Sequence, residues 1–151
     1  MATKAEQLGV TVRRARISDA RNIAKLSGEL GYPSTAAKVV KRLRAMKPAS
    51  HHAVFVAATK TARVVGWLHI SVAHLLESGT RAELNGLIVS EAQRSLGAGA
   101  QLLAAAEAWA KQRKCTAVNL RSNVIRERAH KFYLRQGYEH YKTQKAFWKA
   151  I

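Results

Sequence analysis

Residues Gln93-Arg94-Ser95-Leu96-Gly97-Ala98-Gly99 stand between a strand-like run, Leu84 to Val89, and a long amphipathic stretch that begins near Gly97. The chemistry open to such a turn is anion binding. Its glycines let the main chain approach a bulky ligand, and the first amides of the following helix have no intrahelical acceptors. Those N–H groups, the positive end of the helix dipole and the Arg94 guanidinium together suit a phosphate or pyrophosphate. A P-loop would need Gly-x-x-x-x-Gly-Lys-Ser/Thr, but Gly99 is followed by Ala100-Gln101-Leu102, without the lysine or the magnesium-binding hydroxyl. The dinucleotide fingerprint fails as well, because its last glycine position is Leu102. What remains is Arg-x-x-Gly-x-Gly, with an ordinary glycine-bearing strand-to-helix turn as the competing reading.

Other reactive side chains offer less. His51, His52, His69, His74, His130 and His140 make no metal-ligand spacing of the His-Glu-x-x-His kind, and no metal is expected. Cys115 is the only cysteine, which excludes an intrachain disulfide and zinc sites built on cysteine pairs. It follows a helix C-terminus and lacks the helix-start environment that makes a thiol nucleophilic.

The chain has 151 residues, 48% hydrophobic and 23% charged, which suits one globular domain. No run approaches the roughly 20 apolar residues of a membrane-spanning helix, and there is no signal-peptide core. A cytoplasmic protein without a membrane partner is expected. The net charge of +17 is spread from Arg13-Arg14-Arg16 through Lys38-Lys41-Arg42-Arg44 to Lys142-Lys145-Lys149. Such a distribution favours a solvated basic surface that attracts a polyanionic cofactor over a nucleic-acid interface.

The elements that must position the turn follow from periodicity. Residues 1–8 read as a disordered leader, and 9–151 as one domain. Val10 to Ile17 reads as a strand, Ser18-Asp19 as a helix N-cap, and Ala20 to Leu30 as a helix stopped by Gly31. A second helix spans Thr35 to Met46, its basic face read as the wet face. Ala53–Ala58, Arg63–Val72 and Arg81–Val89 form an antiparallel meander, with Gly66 marking a bulge or close packing. The helix after the glycine turn ends near Lys114. Thr116–Leu120 is then a strand parallel to its predecessor, Arg126–Gln136 a last helix, and Tyr138–Ile151 the remaining strand material.

This order resembles that of the GNAT superfamily of N-acetyltransferases, whose coenzyme A pyrophosphate loop the Arg94 turn is similar to. A second segment supports the resemblance: Ala129-His130-Lys131-Phe132-Tyr133-Leu134-Arg135-Gln136-Gly137-Tyr138 resembles the family's Ala-x-x-Phe-Tyr-x-x-x-Gly-Phe/Tyr. Leu30-Gly31-Tyr32-Pro33 also resembles the end of the first helix in a small-molecule-acetylating branch. The resemblance implies an α/β fold with a mixed, mostly antiparallel sheet of about six to seven strands. A pair of those strands splays at the cofactor cleft, and four helices flank the sheet. It further implies direct transfer of an acetyl group from acetyl-CoA to a primary amine.

An aliphatic ammonium, with a pKa of about 10.4, must lose a proton before it attacks a thioester. Under the resemblance Glu83 is the base, directly or through water, with a surface ion pair as its alternative role. Tyr133 matches the tyrosine that protonates the departing sulfur. Backbone groups of Leu87, Ile88 and Val89 would pair with the pantetheine arm, and Arg94, Ser95, Leu96, Gly97, Ala98, Gly99 and Ala100 would hold the pyrophosphate. The position often occupied by Asn in the family is Arg126, with Asn123 nearby, and either could reach the cofactor. Gly31 and Tyr32 belong to the acceptor side. There the many basic residues favour an amine bearing an anion such as carboxylate or phosphonate, while protein amines stay open. A homodimer is compatible with Phe147 and Trp148, and a noncatalytic acyl-CoA- or nucleic-acid-binding module is the alternative function.

Overall fold

A computed structural model describes residues 9–46, 51–94 and 97–151. The expected leader and the turn residues Ser95 and Leu96 lie outside the described residues. Strand β1 (Thr11–Arg14) leads through a 3-10 turn into helices α1 (Ala20–Glu29) and α2 (Ala36–Ala45). Strands β2 (His52–Ala58), β3 (Val64–Leu75) and β4 (Gly79–Val89) follow, then α3 (Ala98–Gln112), β5 (Val118–Leu120) and α4 (Glu127–Arg135). The chain resolves into two compact units, one ending at Arg121 and one running from Ser122 to Ile151.

The first unit holds one sheet in the order β1-β2-β3-β4-β5. Its first four strands are antiparallel in succession, and β5 runs parallel to β4. The sheet is mixed and mostly antiparallel, as expected, but it has five strands among the described residues and not six or seven. The expected strand material from Tyr138 to Ile151 carries no ladder. Residues 139–145 are almost unbroken polar sequence without alternation, and a strand requires a neighbour for its N–H and C=O groups that local composition does not supply.

Side chains alternate across the sheet and bury both faces. Leu68, Ile70, Leu102 and Leu103 are fully buried where α3 packs on the sheet. Each such side chain is worth roughly 1.5–3 kcal/mol when removed from water. On the opposite face Val56 and Ile88 join Ile23 and Leu26 of α1 and Val39 of α2, with Trp67 packed against them. Helix α1 ends in a Schellman arrangement: Gly31, at φ +91°, donates its amide to Gly28, and Tyr32 donates to Ser27. Asp19 precedes α1 but does not cap it. Its carboxylate accepts from the Arg13 guanidinium at 2.8 and 3.0 Å and from the Arg16 amide at 2.7 Å. Two charge-assisted bonds outcompete a helix amide for the same oxygens.

Both irregularities in the ladders involve glycine. The β2–β3 register shifts beside Gly66, where an added Cβ would lie 2.9 Å from the Ile88 carbonyl oxygen and 3.2 Å from Leu102 Cδ1. The β3–β4 register shifts after His69: His69 faces Gly86 and Ile70 faces Leu84, which leaves Asn85 as the extra residue of a β-bulge. Asn85 Nδ2 donates to Ser71 Oγ at 2.8 Å and to the Glu83 carbonyl at 3.2 Å, fixing the bulge. Beside it the Trp67 ring crosses Gly86, and a Cβ there would stand 2.7 Å from Cη2 and 2.8 Å from Cζ3. Gly86→Ala therefore forces the indole or the bulge to move. Its expected cost is about 1–3 kcal/mol, to be read as a lower midpoint in urea unfolding with an unchanged m-value; an unaltered midpoint would mean that the ring yields freely.

Candidate functional site

The bulge decides what β4 can offer. Pairing with β5 covers Ala82, Glu83 and Leu84 and extends no further, so among the described residues β4 from Gly86 to Val89 has no strand partner on that side. The Ser90 amide donates to the Val65 carbonyl, which makes the Gly66 and Val89 pair a non-hydrogen-bonded one. By alternation Leu87 and Val89 turn their N–H and C=O groups away from β3, whereas Ile88 turns its own toward Trp67. Of the backbone groups expected to hold an extended ligand, those of Leu87 and Val89 face the unpaired side and those of Ile88 do not. The ladder between β4 and β5 thus ends where β5 itself ends, at Leu120.

At the end of β4 the chain turns toward α3. Arg94 Nε donates to the Val89 carbonyl at 3.2 Å, and its Nη1 lies 3.6 Å from Glu91 Oε1. Gly97 takes φ +92° at the N-cap of α3, a left-handed conformation that a side chain would strain. The Gln101 amide is bonded to the Gly97 carbonyl, so the amides of Ala98, Gly99 and Ala100 precede the first intrahelical bond. Their N–H dipoles and that of the helix favour an anion at this terminus.

Glu83 lies two residues before the bulge residue Asn85, in a cross-strand row with His52, Ser71 and Asn119. Arg81 Nε donates to its Oε1 at 2.7 Å and Asn119 Nδ2 to its Oε2 at 3.4 Å, and its side chain is 19% exposed. Both readings of Glu83 thus meet in one geometry: it is ion-paired, and one of its oxygens has only a long contact. In the next row stands His69, whose Nε2 is 3.3 Å from His52 Nδ1. Burial, reinforced by His52, pushes the His69 imidazole down to about 4. Sequence reasoning gave this pair no role, and nothing in its spacing along the chain announces it.

A cavity of about 320 Å³ opens on the same sheet face. Trp67, Leu30 and Tyr32 supply apolar wall, and Arg42, Ser34, Ser27 and Asn85 supply polar groups. Tyr32 lines this cavity. Gly31 acts through the backbone, turning the chain so that Tyr32 follows. Arg42 and Asn85 were not anticipated here. The signal available for Asn85 was an Asn-Gly pair inside an otherwise apolar strand.

The second unit holds Tyr133 on α4. Phe132 and Tyr138 pack edge-on against its ring, with centroids 5.3 and 5.9 Å away. Burial raises the Tyr133 phenol above its ordinary value, with the Arg126 charge opposing, so the hydroxyl keeps its proton at neutral pH. Asn123 is engaged in the turn before α4: its Oδ1 accepts from the Ile125 amide at 3.2 Å, and its carbonyl oxygen lies 2.9 Å from His130 Nε2. Arg126 is the N-cap residue of α4, two turns before Tyr133. Burial also raises the Cys115 thiol, against Arg113, which keeps it from acting as a thiolate.

A family model described as Acetyltransferase (GNAT) family matches residues 19–138. Aminoalkylphosphonate N-acetyltransferase of Salmonella typhimurium is 36% identical over 92 residues, which are 59% of this chain and 60% of that relative. The chain thus matches about three fifths of the length of this relative. Among solved structures, aminoglycoside 6'-N-acetyltransferase AAC(6')-Ih from Acinetobacter baumannii superposes with a TM-score of 0.81 at 20% identity, covering 95% of this chain and 99% of that one. Aminoglycoside N-acetyltransferase AAC(6')-Iy in complex with CoA does so with a TM-score of 0.82 at 18% identity, covering 94% and 95%.

The imidazole of His69 provides a pH test of this face. Because the folded chain holds it near 4 against an ordinary 6.5, the unfolded chain binds more protons between those values. Stability is therefore full above pH 6.5 and falls as pH drops toward 4. The expected loss is on the order of 1–3 kcal/mol, discounted for partial exposure. His69→Gln should flatten that part of a plot of unfolding free energy against pH, while the acid limb from Asp19, whose carboxyl is lowered by Arg13, stays below it.

Proposed function

The chain belongs to the acetyltransferase (GNAT) family, and from that premise we propose that it moves the acetyl group of acetyl-CoA directly to the primary amine of a small molecule. One observation supports the reading: the edge of β4 at Leu87 and Val89 has no strand partner among the described residues, its Val89 carbonyl accepting only from Arg94 Nε, and it leads directly into the free amides that open α3. An extended arm with an amide-bearing chain suits the first, and a diphosphate suits the second. Arg94 would leave Glu91 for the phosphates, and Gly97 to Ala100 would cradle them. The relative named for aminoalkylphosphonates and the fold neighbour described in complex with CoA agree with this pair of substrates.

In the reaction the amine nitrogen attacks the thioester carbon as its proton leaves. The C–N bond forms, the C–S bond breaks, and the sulfur departs as a thiolate that must be protonated. Glu83 is the proposed base. Its long contact to Asn119 leaves Oε2 able to take a proton, directly or through a water, while Arg81 holds the other oxygen. Tyr133 is the proposed acid, since a phenol that stays protonated at neutral pH can serve a thiolate. Asn123 Oδ1 is engaged in its own turn, and Asn123 or Arg126 is proposed to meet the cofactor. The proposal includes a cytoplasmic site of action, and a homodimer is compatible with the exposed Phe147 and Trp148.

Free coenzyme A should appear when the protein is given acetyl-CoA and a panel of small primary amines. Tyr133→Phe should lower kcat by about 100-fold or more and leave the KM for acetyl-CoA nearly unchanged. Tight binding of acetyl-CoA with no turnover of any amine would instead indicate a binding module.

A further inference from the structure

We infer that the cavity beside Trp67 is an acceptor pocket with a built-in anion anchor, Arg42 and Ser34, so that the amine acetylated here carries a carboxylate or a phosphonate. The inference rests on the acetyltransferase reading for the identity of the pocket.

Arg42 belongs to α2, whose buried side is set by Val39. Helical side chains lean toward the N-terminus. Arg42 accordingly folds back along α2, and its Nη1 donates to Ser34 Oγ at 3.3 Å, just ahead of the Thr35 N-cap. Both residues line the cavity. Among the described residues that do so, Arg42 is the only charged one, and no carboxylate of the described residues lies within ion-pair distance of it. A guanidinium with no carboxylate partner, steadied by one weak hydroxyl bond, presents its remaining donors in the fork that fits a planar carboxylate or a tetrahedral phosphonate.

The same cavity touches Asn85 and Gly86, two and three residues along β4 from Glu83. An acceptor with its anion on Arg42 and its amine toward the bulge would span the cavity with each end facing complementary chemistry. At about 320 Å³ the space lies at the small end of ligand pockets, roughly 300–1,000 Å³. A polycationic acceptor would find there a guanidinium and no acidic group, a like-charge arrangement that specificity is built to exclude.

The test compares three probes of similar length, 2-aminoethylphosphonate, β-alanine and ethanolamine. Binding is measured by calorimetry on the full chain with saturating coenzyme A, and turnover by coenzyme A release from acetyl-CoA. Arg42 is exposed, so Arg42→Gln should fold, which circular dichroism checks. The wild type should prefer the two anionic amines, and Arg42→Gln should weaken their binding about 10- to 100-fold. Its KM for ethanolamine and for acetyl-CoA should not change. Arg42→Lys should recover part of the loss, and the larger loss of the two anionic probes distinguishes phosphonate from carboxylate. The anchor is overturned if the wild type binds neither anionic amine, if it prefers ethanolamine, or if Arg42→Gln affects all three probes alike. Arg42-dependent binding without coenzyme A release would sustain the anchor and sink the acetyl-transfer reading. Turnover indifferent to tail charge would do the reverse.

Discussion

One extra residue in one strand is the constraint on which the first unit depends. Asn85 is unmatched across the β3–β4 ladder, and the parallel pairing of β4 with β5 stops at Leu84, immediately before it. A bulge bends its strand and increases the local twist, and the ladder between β4 and β5 ends where the bulge begins. Unpaired main-chain groups are tolerated in a folded protein only where water or a ligand can reach them. The open stretch of β4 is therefore left to water or a ligand, apart from the Val89 carbonyl, which accepts from Arg94.

The bulge is held from three sides. Ser71 and the Glu83 carbonyl accept from the Asn85 amide, and the Trp67 ring covers Gly86 where no side chain could fit. Trp67 in turn packs against the core shared by α1 and α2. Helices remote from the glycine turn thus bear, through one indole, on the strand geometry that the turn completes. The same indole is a wall of the cavity, so the cavity and the open stretch of β4 share a support. Substitutions at Trp67 would be felt in both.

How much of this was legible in the sequence depended on whether its cause is local. The long apolar face of α3, the meander and the Arg94 to Gly99 turn follow from spacing, backbone freedom and helix ends, all properties of neighbouring residues. Asp19 stands at the N-cap of α1 as expected, but its carboxylate goes to Arg13, which becomes a neighbour only when the chain folds back. Tyr138 to Ile151 was misread as strand because a ladder is a property of two segments and the sequence displays only one. Asn85-Gly86 was passed over inside an apolar run, although the pair marks broken pairing as readily in a strand as in a turn. The His52 and His69 contact was invisible for the reason that applies to Asp19: strand register creates it.

The basic residues divide on the same principle. Arg13 and Arg81 are matched to carboxylates, and Arg14 stacks on Phe55 with its guanidinium 5.5 Å from the ring centre. The first two have their charge answered by carboxylates, and Arg14 is held against an aromatic face. Arg42 differs from them. It lines a cavity with no acidic side chain among the described lining residues, and its exposed guanidinium is open to an incoming anion. In a chain of net charge +17, the position of a cation says little until its partners are known. An arginine left with a hydroxyl and a hollow in front of it is the arrangement that folding alone does not require.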